Sequence, residues 1–242
     1  MALNKGQIYE RSIFRELKRS GKIPDYINRN EQISGQDVTV YNQFGQSGIE
    51  IKSNIGAAFG SGTLKFNHSK LNDPWVLTET NEQDEEDTSK QIMKNVANKY
   101  KLTDIVNKKW YRDNDNYYPF YLEESNPSPA RPILSIPRSK RGKQDLEALG
   151  DIKIKCSKDD IVNYYTSKGS HYIQVGNKGL YWFGKEDPLK ISNKIPIFYP
   201  GETFIRVRVQ PKGSGTYNFS YGLYIKRLSS SNEDLSKNPY VI

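Results

Sequence analysis

Apolar positions along this chain change their period several times, and each change predicts an element. From Gly6 to Lys22, Ile8, Tyr9, Ile13, Phe14 and Leu17 recur at helical spacing, and Gly21 followed by Pro24 ends the run. The period then drops to two. Val38 to Tyr41 and Ile49 to Lys52 read as strands joined by a hairpin-like connection over Asn42 to Gly48. Leu64 to Phe66 and Trp75 to Thr78 read as further strands of the same sheet. The acidic run Glu79 to Asp87 reads as a solvated loop before a helix capped by Thr88 or Ser89, which buries Ile92, Met93, Val96 and Tyr100. A shorter helical stretch follows over Leu102 to Trp110.

Proline and aromatic residues crowd Tyr117 to Pro137, which favours extended connections. Short helices are expected at Gln144 to Leu149 and from Asp159 and Asp160 to Tyr165. The last third is β-rich. Tyr172 to Val175 and Leu180 to Phe183 flank a Gly-Asn-Lys-Gly turn, a hairpin signal. Phe204 to Val209 sets Ile205, Val207 and Val209 against Arg206 and Arg208, and Tyr217 to Ile225 is apolar at every second position. The pattern predicts an α+β chain, with a part over 1–125 and a second, β-rich part over 126–242 that is continuous with it or separate.

The 242 residues are 35% hydrophobic and 26% charged, enough for a core under a polar surface, and the net charge of +8 favours polyanionic partners. A single cysteine, Cys156, excludes an internal disulfide framework and a Cys-rich zinc site. His68 and His171 lack a partner pattern, so neither is assigned a catalytic role. The start of the chain lacks the apolar run of a signal peptide and no segment reaches membrane-spanning length, which predicts a cytoplasmic protein with no membrane partner.

Three acid-x-Lys triplets occur. Glu16-Leu17-Lys18 lies on the first helix, where residues two apart point away from each other. Asp151-Ile152-Lys153 lacks an earlier strand-borne acid close by. Glu50-Ile51-Lys52 has one, Asp37, at the head of the preceding strand. Alternation sends Glu50 and Lys52 to one face and Ile49 and Ile51 to the core. Two carboxylates and an ammonium at one strand edge suit Mg²⁺, which takes one or two carboxylates plus water and substrate oxygens, and the Ile51 carbonyl could add a ligand. Lys52 could orient water and stabilise a phosphorane. Glu10 or Glu16 could supply an auxiliary acid, with Glu10 favoured because it borders the buried face of its helix.

The order helix, strand with Asp37, hairpin, strand with Glu50-Ile51-Lys52 resembles the catalytic core of the PD-(D/E)xK nuclease superfamily over residues 6–78. Gln36 stands where the written motif has proline. The acid-x-Lys strand, the Gly-rich stretch Gly56 to Phe66, a later basic loop and a β-rich end are similar in layout to HhaI-type restriction endonucleases; Thr63 stands near where that likeness expects glutamine. The resemblance implies a restriction-endonuclease-like mixed central sheet flanked by helices. It further implies a Mg²⁺-dependent, site-specific endonuclease acting on double-stranded DNA, partnered in its host by a protecting DNA methyltransferase. Asp37, Glu50 and Lys52 take the catalytic roles by match to the motif.

Physical chemistry alone suggests the DNA contacts. Arg138, Lys140, Arg141 and Lys143 form a basic loop able to meet phosphates or guanine edges, or simply a solvated one. Asn54, Ser61 and Thr63 follow the active strand where a backbone could approach DNA closely. Arg206 and Arg208 could line the same channel or be ordinary surface residues. A structure-selective resolvase, a homing nuclease and a non-catalytic DNA-binding module remain as alternatives. Monomer and homodimer are both open.

Overall fold

The computed structural model describes residues 3–23, 37–66, 75–77, 88–108, 121–123, 126–131, 150–211 and 217–228. The elements in chain order are α1 (Lys5–Arg19), β1 (Val38–Asn42), β2 (Gly45–Lys52), β3 (Ser61–Phe66), β4 (Trp75–Leu77), α2 (Thr88–Lys99) and α3 (Leu102–Asn107). Then come β5 (Tyr121–Glu123), β6 (Asn126–Arg131), β7 (Ile152–Lys155), α4 (Lys158–Thr166), β8 (Ser170–Val175), β9 (Gly179–Trp182), β10 (Thr203–Pro211) and β11 (Tyr217–Ile225). The architecture is α+β. No helix among the described residues is long and apolar enough to cross a membrane.

The chain forms two compact units, one from 1–58, 157–203 and 224–242, the other from 59–156 and 204–223. The first unit holds a four-stranded sheet in the order β1-β2-β8-β9. Its outer pairs are antiparallel, while β2 and β8 run parallel. Parallel neighbours need a crossover, and α4 lies in it, directly before β8.

Local chemistry explains the element ends. Asn4 and Gln7 cap α1 reciprocally, each side chain accepting the other's amide at 2.9 and 3.0 Å, so two orphan donors are satisfied. Gly21, at φ 71°, provides the left-handed turn that stops the helix. Between β1 and β2 the turn is only Gln43-Phe44, because Asn42 Oδ1 accepts the amides of Phe44 (2.9 Å) and Gly45 (3.3 Å). β2 therefore begins at Gly45, earlier than the apolar pattern suggests; its first four residues carry no apolar side chain to announce it. On α4, Ser157 is the cap and Asp160 returns a bond to its amide at 3.1 Å, with two acids placed where the helix dipole favours them.

The sheet of the first unit has two distinct faces. Val38, Val40, Ile49, Ile51, Tyr172 and Leu180 bury Ile13, Phe14 and Leu17 of α1 in one cluster. Glu50 and Lys52 point to the other face, where α4 presents Tyr165 with its ring 5.6 Å from Lys52 Nζ.

The second unit holds a five-stranded antiparallel sheet, β4-β3-β11-β10-β7, and the short β5-β6 pair. Ile205, Val207, Phe219 and Leu223 are fully buried, as the alternation in the ribbon predicts. Trp75 meets Phe219 edge-on at 4.4 Å, and the Asn107 amide group bonds the Trp75 main chain at 2.9 and 3.0 Å. The expected junction near residue 126 falls within the sequence span of this unit. Glu79 to Asp87, the helix at Gln144 to Leu149, His68, and the basic residues Arg138, Lys140, Arg141 and Lys143 lie outside the described residues.

Candidate active site

Hydrogen-bond direction along β2 decides what its C-terminal end offers. The Gly48 amide bonds Gly169 at 3.0 Å and the Lys52 carbonyl accepts Gly176 at 2.7 Å, so the even-numbered main-chain groups face the β8 side. The odd-numbered groups face β1, and amide and carbonyl of one residue point the same way. Val38 pairs with Ile49 and β1 begins there, so the main chain of Ile51 reaches past the end of its partner strand. Asp37 closes that gap: its Oδ2 accepts the Ile51 amide at 2.7 Å. The Ile51 carbonyl is thereby turned toward Asp37 as well.

Glu50 sits beside this edge on the face opposite α1. It is 3% exposed, and its Oε1 takes the Lys52 ammonium at 2.5 Å. Oε2 makes no hydrogen bond and lies 3.7 Å from Lys168 Nζ. A buried carboxylate oxygen without a donor is costly and rare. Burial raises the Glu50 pKa, and Asp37 adds to the rise against the opposing pull of Lys52 and Lys168. Burial pulls Lys52 downward, but the charges of Glu50 and Asp37 outweigh it and hold the ammonium above its ordinary pKa.

The tight turn after β8 shapes the site from the other side. A Cβ at Gly176 would lie 2.1 Å from the Ser53 carbonyl oxygen, so only glycine lets that turn close against the strand end carrying Lys52.

Asp37, Glu50 and Lys52 are thus brought together, and Ile51 joins them through its main chain. Glu10 is half-buried on α1, the helix packed against the Ile49 and Ile51 face. Glu16 pairs with Arg19 at 2.6 Å. Asn54 is exposed two residues beyond Lys52, its Oδ1 holding the Gly56 amide at 2.8 Å. Ser61 and Thr63 belong to β3 of the second unit, Ser61 exposed and Thr63 opposite Ser220. Also in that unit, Arg208 grips both oxygens of Asp151 at 2.7 and 2.8 Å, and Arg206 approaches the same carboxylate at 4.0 Å. His171 lies 3.8 Å from Glu186, and burial lowers its pKa.

Sequence reasoning missed three residues here: Lys168, Tyr164 and Tyr165. Lys168 reaches Glu50 while lying over the rings of Tyr164 and Tyr165 at 4.9 and 5.5 Å. Their nearness to β2 follows from the parallel β2-β8 pairing, and no local pattern announces that pairing.

The donor set fits a hard divalent cation. Asp37, Glu50 and the Ile51 carbonyl all present oxygen donors, and Glu50 Oε2, 3.7 Å from the Lys168 ammonium, accepts no hydrogen bond that would exclude such an ion. No group of three or more His, Cys, Asp or Glu side chains that could hold a metal occurs among the described residues. No protein-family model, curated protein or solved structure gives a significant match to the chain.

Proposed function

We propose that this chain is a Mg²⁺-dependent endonuclease acting on double-stranded DNA at specific sites, with a restriction-endonuclease-like catalytic unit. A DNA methyltransferase in the host would protect the sites it cuts. One observation carries the reading. A buried carboxylate, Glu50, keeps one oxygen without a hydrogen bond while its other oxygen holds Lys52, at a strand edge where Asp37 also sits. The mixed sheet with α1 on one face and α4 on the other supports it.

Asp37, Glu50 and the Ile51 carbonyl would hold the ion. Bound there, it would acidify water and neutralise charge on the phosphate. Lys52 acts as a fixed cation. The carboxylates of Glu50 and Asp37 hold its ammonium above the ordinary pKa, which suits donation to a phosphate oxygen. Asp37 also keeps the strand end in place by holding the Ile51 amide. The Tyr165 ring lies 5.6 Å from the Lys52 ammonium and adds a favourable cation–π contact.

Digestion of sequenced plasmid DNA tests the proposal. Discrete fragments with Mg²⁺ and none with EDTA are expected, and Lys52→Ala should lose cutting while retaining DNA binding. Unchanged cutting in Asp37→Ala or Glu50→Ala would refute it. A junction-specific product would move the activity to a resolvase. Salt-sensitive binding without any cutting would leave a DNA-binding module.

A further inference from the structure

Asp37 stands at one end of the β1-β2 hairpin; the other end, at Phe44, forms a second feature. There the hairpin tip and the segment 187–194 enclose a cleft of about 340 Å³. Its wall carries Lys22, Lys190 and Lys194 and the rings of Tyr41 and Phe44, with no carboxylate in the lining among the described residues. Phe44 is 58% exposed and Tyr41 37%, so both rings are open to solvent.

The cleft is built rather than incidental. Asn42 Nδ2 donates to the Leu189 carbonyl at 2.7 Å, tying the hairpin to the facing loop while its Oδ1 closes the turn. A Cβ at Gly45 would come 3.1 Å from the Pro188 carbonyl oxygen, so the two segments meet closely. Asp187 is turned into the loop, accepting the Ile191 and Ser192 amides at 3.1 Å each and the Tyr172 hydroxyl at 2.5 Å. The acid nearest in sequence to Lys190 and Lys194 on their own loop is thereby spent on structure. Lys190 is held at φ 53°, a conformation that a non-glycine residue keeps only when its surroundings enforce it.

We propose that this cleft binds a single-stranded stretch of nucleic acid, a base stacking on the exposed rings and the flanking phosphates meeting Lys22, Lys190 and Lys194. Aromatic platforms beside cations are how unpaired strands are held, since every base has a stacking face that a duplex conceals. The excess of eight positive charges on the chain adds attraction that grows with polymer length, which a free nucleotide cannot use. The site shares with the proposed nuclease only the class of polymer. Strand binding read without metal stands even if the chain cuts nothing.

Fluorescence anisotropy of a labelled oligothymidine with the full chain in EDTA tests this. The wild type should bind; Phe44→Ala should weaken binding about tenfold, the loss of one stacked base. Lys190→Gln combined with Lys194→Gln should lower the salt slope by roughly 1.4, about 0.7 for each phosphate no longer neutralised. In Phe44→Trp the indole emission should be quenched as the strand binds. Absent binding by the wild type would overturn the proposal. Unchanged affinity in Phe44→Ala would do so too, as would a free thymidine nucleotide that competes as well as the strand. A wild type that binds this way but cuts no DNA would refute the nuclease alone; one that cuts while Phe44→Ala binds normally would refute the cleft alone.

Discussion

Glu50-Ile51-Lys52 on β2 and Asp151-Ile152-Lys153 at the head of β7 share one pattern: an acid and a lysine on the same strand face around a buried isoleucine. Their surroundings make them chemically opposite. Asp151 has both oxygens held by Arg208, whose hydrogen bonds lower its pKa against the contrary effect of partial burial. Glu50 is nearly inaccessible, one oxygen lacks a donor, and burial raises its pKa. An acid-x-Lys triplet is therefore no site in itself. What separates the two ion pairs is whether the acid's second oxygen already accepts a hydrogen bond.

The largest expected effect breaks the comparison at the lysines. Lys52→Ala should reduce DNA cutting about 10²–10³-fold, the usual cost of removing one preorganised charge donor. Lys153→Ala, a change at an exposed strand position, should leave the cutting rate unchanged. Initial rates on plasmid DNA at saturating Mg²⁺ measure both, and equal losses would erase the distinction between the triplets.

Stability should run the other way. Burying Glu50 with Lys52 costs desolvation that the ion pair need not repay, so replacing the pair together, Glu50→Gln with Lys52→Met, should be neutral or stabilising by about 1–4 kcal/mol in denaturant unfolding. Asp151→Ala should instead cost about 1 kcal/mol, a modest figure because the Arg208 side chain is 43% exposed and its bonds are weakened by solvent. A destabilised double variant would mean that Glu50 and Lys52 are as structural as Asp151.

Lys168 sharpens the contrast further, since Asp151 has no counterpart to a cation at 3.7 Å from an oxygen that makes no hydrogen bond. It is one of the charges opposing the rise in the Glu50 pKa. Lys168→Met should therefore let Glu50 take a proton at higher pH, and the acidic limb of the pH-rate profile for cutting should move upward. An unmoved limb would remove Lys168 from the site.

Much of this was legible in the chain because it is local. The helical spacing of Ile13, Phe14 and Leu17, the alternation through Ile49, Glu50, Ile51 and Lys52, and that of Ile205 and Val207 each follow from one element's own periodicity. Bringing Asp37 to Glu50 needed only one tight hairpin. The start of β2 was hidden because Gly45 to Gly48 has no apolar residue, and its pairing rests on Asn42 and the backbone. Lys168 was hidden for a different reason: 116 residues separate it from Lys52, and a parallel pair leaves no turn signature between its strands. The pairing of Arg208 with Asp151 was hidden likewise, as it depends on β10 lying against β7.

The smallest effect expected is in the pH dependence of stability, where the two acids differ in sign. For Glu50 the folded pKa lies above 4.5, so the native state holds its proton longer than the unfolded chain, and stability falls as pH rises from there through the folded value. For Asp151 the folded pKa lies below 3.8. Its contribution is fully present above 3.8 and is lost as pH falls through the folded value. Thermal unfolding of the wild type and of Asp151→Asn should therefore differ most near neutral pH and converge in acid. Lys52→Met and the double variant Glu50→Gln with Lys52→Met should converge in acid too, but with the double variant the more stable of the two as pH rises. If both acids gave curves of the same sign, the two triplets would be alike in the property that the comparison turns on: how far the fold has satisfied the acid's charge.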